Sequence, residues 1–288
     1  MAVEARDGRL YIPSLEFFAA DDCNLRCRHC AASSPYEGEP GRPQVAVFAS
    51  VLRDLEPVLR AEQVKILGGE PLLNPDLLAL MRLARESGLF ERIRVTTNGT
   101  LLGRMGDDFW RAADVVEISL YPSAEGAVNR HLAQAEERAR TWGTTLEVQR
   151  KDAFQRSFSD TPIDAELVGR IFASCGEAHE WSCHLLYGRR IYRCSRVHML
   201  DRYLGRLGVP HAPFTAADGL PVDSRPTLFQ ELLDYLRSPT PLAACSFCLG
   251  TCGVHEPHRQ LTAKELRAKA AGAIEAFDPA WLAPLTAE

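Results

Sequence analysis

The chain has 288 residues, 46% of them apolar and 25% charged, with a formal net charge of −5 and nine cysteines. That length suits one large domain or a domain with an appendage, the apolar runs are too short to span a bilayer, and an acidic balance with no block of Lys or Arg speaks against nucleic acid as the main partner. The first residues, with Glu4, Arg6, Asp7 and Arg9, show no secretory pattern, so a cytoplasmic location is expected and the cysteines point to metal or redox chemistry rather than disulfides.

In chain order, residues 15–20 read as a first strand, followed at once by Cys23-Asn24-Leu25-Arg26-Cys27-Arg28-His29-Cys30. Three thiolates at this Cys-x3-Cys-x2-Cys spacing can hold three irons of a [4Fe–4S] cube and leave the fourth open to a substrate. A structural zinc site wants four ligands, so His29 or a distant cysteine would have to complete one; reduced core thiols are the third reading. Further β-rich runs at 64–67, 92–97, 115–120 and 145–149 alternate with helical stretches, which predicts successive βα units on a parallel sheet. Pro75-Asp76 opens a helix whose apolar face stops at Gly88, and residues 123–142 form another that Gly143 ends.

The strand ends carry short polar motifs. Gly68-Gly69-Glu70-Pro71 follows the second strand, where two glycines let backbone approach a ligand closely, although a plain βα turn uses them too. Thr96-Thr97-Asn98-Gly99-Thr100 closes the third and Ile118-Ser119-Leu120-Tyr121-Pro122 the fourth. Asn98-Gly99 also suits a turn, and Ser119 a satisfied strand-end hydroxyl. Arg150 and Lys151 follow the fifth strand, as substrate contacts or as solvated charges.

After residue 160 the rhythm breaks, dividing the chain into residues 1–160 and a smaller unit at 161–288. Residues 205–226 read as a loop, 227–237 as a helix and 263–277 as a last helix. Six cysteines fall here: Cys175, Cys183, Cys194, Cys245, Cys248 and Cys252. Cys183 and Cys194 bracket a hairpin around Gly188. Four thiolates from that hairpin and the Cys245-x2-Cys248 knuckle suffice for a closed [4Fe–4S] cube or for tetrahedral zinc. His179, His184, His198, His255 and His258 receive no role.

The cysteine triplet, GGEP and TNG, in that order at successive strand ends, resemble the radical S-adenosylmethionine (SAM) superfamily. The resemblance implies an α/β fold built as a partial (β/α)6 barrel. It makes Cys23, Cys27 and Cys30 the ligands of a [4Fe–4S] cluster whose open iron chelates SAM, and sets His29 beside the adenine in place of the usual aromatic. Gly68, Gly69, Glu70, Thr97, Asn98 and Ser119 become cofactor-binding residues. Tyr121-Pro122 stands where relatives often have Asp-Gly, which leaves Tyr121 without a role.

The later cysteines resemble the twitch domain, a short form of the SPASM domain and a small α+β appendage. On that resemblance Cys183, Cys194, Cys245 and Cys248 hold an auxiliary [4Fe–4S] cluster, with Cys175 or Cys252 as substitutes. The implied reaction cleaves SAM to a 5′-deoxyadenosyl radical, abstracts hydrogen from a hydroxylated small molecule such as a sugar or aminocyclitol, and completes a two-electron dehydrogenation through the auxiliary cluster, with Arg150 as a candidate base. Epimerisation with Cys252 as hydrogen donor and peptide maturation are the alternatives; the short stretch before Cys23 leaves no N-terminal leader-binding domain expected. An external reductant such as flavodoxin or ferredoxin is implied, with no nucleic acid and no membrane.

Overall fold

The computed structural model describes residues 3–36 and 41–285. Five parallel strands form its centre: β1 (Arg9–Ala20), β2 (Leu59–Gly68), β3 (Phe90–Thr97), β4 (Val115–Leu120) and β5 (Thr145–Arg150), each hydrogen-bonded to the next. All five predicted strands are present. The first two start earlier than expected, because Arg9–Ser14 and Leu59–Gln63 interleave apolar with polar residues and lack the unbroken apolar run that marks a buried strand.

Side-chain alternation decides what each face does. Leu15, Phe17, Val64, Ile66, Ile93, Val95, Val116 and Ile118 point outward into one apolar core with helices α1 (Val45–Leu55), α2 (Leu77–Glu86), α3 (Asp107–Ala112) and α4 (Glu125–Trp142). Gly143 ends α4 in the left-handed region at φ +73, as its position just past the apolar pattern predicts. The opposite face is polar. Glu16, Lys65, Arg94, Glu117 and Glu147 form one layer across β1 to β5 and line a cleft of about 750 Å³ with Gln63, Thr96 and Gln149. A closed βα barrel packs branched apolar side chains there; this open one carries charge.

The sheet does not stop at residue 160. After α5 (Ala165–Ala173) the chain returns to the far edge, where β6 (His184–Tyr187) pairs in parallel with β1, followed by the antiparallel β7 (Arg190–Tyr192) and β8 (Leu220–Pro221). With an antiparallel strand at Glu4–Arg6 against β1, the sheet has nine strands. The sixth parallel strand therefore lies beside β1 rather than beyond β5, and the predicted hairpin is real, with Gly188 at φ +58 in its turn.

Two expectations in the later residues differ. A helix, α6 (Arg196–Leu207), runs into the predicted loop; it buries Val197, Leu200, Leu204 and Leu207, a face that His198, Arg202 and Arg206 interrupt in the sequence. The last helix, α8 (Ala263–Ala270), stops short of Phe277, because Gly272 takes a left-handed φ of +81 just after it. Between them α7 (Leu228–Arg237) buries Leu228, Leu232 and Leu236 in the main core, as predicted. Among the described residues, no helix is long and apolar enough to cross a membrane.

Candidate active site

From the end of β1 the chain passes over the C-terminal ends of β2 to β4, carrying the first three cysteines. Its closeness to β2 explains the two glycines. Gly68 has φ +136, and a Cβ there would lie 2.1 Å from the Ala20 carbonyl oxygen; at Gly69 it would lie 2.1 Å from that of Asp22. The Gly69 and Glu70 N–H groups donate to those same carbonyls, at 2.7 and 2.9 Å. Those donors are engaged by the cysteine loop rather than turned toward a ligand.

Glu70 is fully buried, and its carboxylate accepts from Leu72 N at 3.1 Å, Thr97 Oγ1 at 2.6 Å and Asn98 N at 2.8 Å. Burial outweighs these bonds and pushes its carboxyl up to about 7. Asn98 extends the brace: its Nδ2 donates to Asn24 Oδ1 at 2.8 Å and lies 3.6 Å from Cys23 Sγ. Glu70 thus supports the loop from beneath and does not itself line the cavity above.

That cavity, of about 710 Å³, is bordered by Cys23, Cys27, Cys30, Gly68, Gly69, Thr97, Asn98 and Ser119, so most of the residues expected at the cofactor come together. His29 does not join them. It sits at φ +58 with Nε2 3.1 Å from Glu256 Oε1, facing a separate cavity of about 810 Å³ on the other side of the loop. The aromatic wall comes instead from Tyr121 and Phe154, with ring centroids 5.3 Å apart. Tyr121 was legible only as a departure from the Asp-Gly of relatives, and Phe154 carried no signal at all.

Burial pushes the Cys23 thiol up to about 12 and raises Cys27 and Cys30 as well. Such thiols stay protonated at neutral pH unless a metal takes the place of the proton. Among the described residues no three His, Cys, Asp or Glu side chains converge on a single metal ion. The three front sulfurs border one cavity, and three thiolates are the donor set that a three-cornered cube takes.

A second cavity, of about 960 Å³, is bordered by Cys175, Cys194, Cys245 and Cys248. Buried Arg196 reaches into this group: Nη1 donates to the Gly250 carbonyl at 2.5 Å and lies 3.9 Å from Cys248 Sγ, while Nη2 pairs with Glu177 at 3.1 Å. Cys183, expected among these cysteines, is not there. The left-handed turn at Ser182 (φ +50) sends its thiol toward Glu16 and Glu177, between the polar cleft and the second cavity. Cys175 borders the second cavity instead.

Two further candidates border neither cavity. Arg150 is exposed and pairs with Glu125 at 3.0 Å and Asp152 at 2.8 Å. Cys252 is packed with Ile171 and Leu249, its Sγ 3.9 Å from the carbonyl oxygens of Ile171 and Ser174.

Residues 19–148 match the model of the Radical SAM superfamily. This stretch is a radical SAM domain. It runs from the end of β1 into β5 and contains the cysteine loop and every strand-end motif, and such a domain implies a [4Fe–4S] cluster and SAM. Among curated relatives, GTP 3′,8-cyclase 1 of Mycobacterium tuberculosis is 33% identical over 118 residues, covering 39% of this chain and 32% of the relative. The putative protein YfkA of Bacillus subtilis is 31% identical over 99 residues, 33% of this chain and 26% of its own. The chain thus spans about a third or less of these relatives. Among solved structures, BtrN in complex with AdoMet and 2-DOIA is similar at a TM-score of 0.42 and 13% identity, over 64% of this chain and 74% of its own. AnSMEcpe with bound AdoMet is similar at a TM-score of 0.37 and 21% identity, over 48% and 43% of the two chains.

Proposed function

We propose that the chain is a radical SAM oxidoreductase that dehydrogenates a hydroxylated small molecule, with residues 1–160 carrying the SAM site and 161–288 most of an auxiliary cluster site. The observation that supports this reading is the second cavity, which four cysteines border. Cys23, Cys27 and Cys30 would hold the front cluster, with Thr97, Asn98 and Ser119 beside the SAM. Cys175, Cys194, Cys245 and Cys248 would hold the auxiliary one. Cluster and SAM together supply a 5′-deoxyadenosyl radical when a reductant such as flavodoxin or ferredoxin delivers an electron.

The protein's part is to place the substrate and exclude water. The polar cleft shares Leu67 and Thr96 with the cysteine cavity, and its amide, hydroxyl and charged groups suit a substrate rich in hydroxyls. The carbinol carbon gives a hydrogen atom to the radical and its hydroxyl gives a proton to a carboxylate of the cleft, for which Glu16, buried and facing the cleft, is placed. A cluster held by the rear cysteines would supply the acceptor for the remaining electron, so that a secondary alcohol would become a ketone in one two-electron oxidation.

The cyclase relatives are matched over about 40% of this chain or less, so their substrate carries no weight here. An epimerase would need a thiol at the cleft; Cys252 is directed to backbone carbonyls elsewhere, and the thiol beside the cleft is Cys183, next to Glu16. The test is an anaerobic turnover of the iron-loaded chain on a panel of sugars and aminocyclitols. One 5′-deoxyadenosine should form per product, and the product should be lighter by two hydrogens; a product of unchanged mass would contradict dehydrogenation.

A further inference from the structure

The segment that leaves the last cysteine returns to lie on the first three. Cys27 forms an antiparallel bridge with Gln260, Arg28 N donates to Arg259 O at 2.9 Å and Leu261 N to Arg26 O at 2.7 Å. This brings His258 onto the front site. Its ring is stacked on Tyr121, with centroids 5.1 Å apart and planes at 15°, and leans on Phe154 at 5.1 Å. Its Nε2 lies 3.2 Å from Cys27 Sγ, and its buried Nδ1 has no hydrogen-bond partner among the described residues. A metal-bound thiolate only accepts, so a contact of this length calls for the proton on Nε2.

We propose that His258 donates an Nε2–H···S hydrogen bond to Cys27 and through it raises the reduction potential of the SAM-binding cluster, acting as a positioning residue rather than a catalytic one. The inference rests on the reading of Cys27 as a cluster ligand. One electron added to a cubane spreads negative charge onto its thiolate sulfurs, and a fixed N–H dipole aimed at one of them stabilises the reduced state more than the oxidised one. The stacking on Tyr121 and the tie between Cys27 and Gln260 hold the donor in place. The role needs the N–H alone.

The experiment is a redox titration of the full chain followed by electron paramagnetic resonance (EPR), reading the signal that responds to SAM. His258→Phe keeps a ring against Tyr121 and removes the donor; His258→Gln keeps a donor and removes the ring. His258→Phe should shift the midpoint to more negative potential, and His258→Gln should restore most of the shift. An unchanged midpoint in His258→Phe, or equal shifts in both variants, would overturn the proposal. Should His258→Phe load no iron, wild-type protein with ring-nitrogen-labelled histidine decides: a histidine coupling at the SAM-responsive cluster is expected, and its absence refutes the bond. A wild-type chain with no SAM-responsive signal would instead refute the reading of the front site itself.

Discussion

The two cysteine sites are built in opposite ways. The front one is local: three thiols within eight residues, on a loop pressed against β2 by carbonyl contacts that only glycine admits at positions 68 and 69. The rear one is assembled from separate places, Cys175 after α5, Cys194 after β7 and the Cys245/Cys248 turn, around the guanidinium of Arg196. A local site states its ligands in its spacing, whereas an assembled one depends on where each turn points its side chain.

The sharpest break between the two comes from the glycine contacts. Gly69→Ala should abolish iron loading at the front site and 5′-deoxyadenosine formation while sparing the rear site, because its new Cβ would displace the Asp22 carbonyl; iron content after reconstitution should fall by about half. Replacing the rear cysteines sharpens the contrast from the other side. Cys175→Ala should likewise lower iron content by about half with the front cluster intact, whereas Cys183→Ala should leave it unchanged; iron and sulfide analysis reads both.

The difference between the sites also follows from which residues were legible. Five parallel strands came from β-rich runs, the hairpin from the β-branched and aromatic residues around Gly188, α7 from apolar periodicity, and the front cysteines from spacing. That Cys175 rather than Cys183 borders the rear cavity could not be read beyond naming Cys175 as a substitute, because no sequence pattern announces the left-handed Ser182 beside Cys183. His29 was set beside a ligand by analogy, whereas its left-handed backbone turns the ring to Glu256. Tyr121, Phe154 and His258 form one aromatic group at the front site because Ala153–Gln155 pairs with His255–Pro257, strands about a hundred positions apart in the numbering.

Smaller effects probe the buried charges of each region. Arg196→Met should destabilise the fold by about 3 kcal/mol in denaturant titration, since it leaves the half-buried Glu177 without its partner. In the front region the carboxyl of Glu70 has its affinity for protons raised by burial, so the unfolded chain releases that proton at lower pH than the folded one. Its contribution is complete below about 4.5 and is lost as pH rises through about 7, so metal-free stability should decline across that window. Glu70→Gln should flatten this slope and cost about 1–3 kcal/mol, because an amide in place of the carboxylate leaves one of the three donors around it unpaired.

The central claim is that Cys23, Cys27 and Cys30 hold a cube whose fourth corner is free for SAM. The most direct test is pulsed EPR of the reduced, iron-loaded chain with SAM carrying isotope labels in its amino and carboxylate groups. The account predicts hyperfine coupling from both labels at one cluster, retained in Cys175→Ala and lost in Cys27→Ala. A cluster that shows no coupling to either label, or zinc in its place, would contradict it.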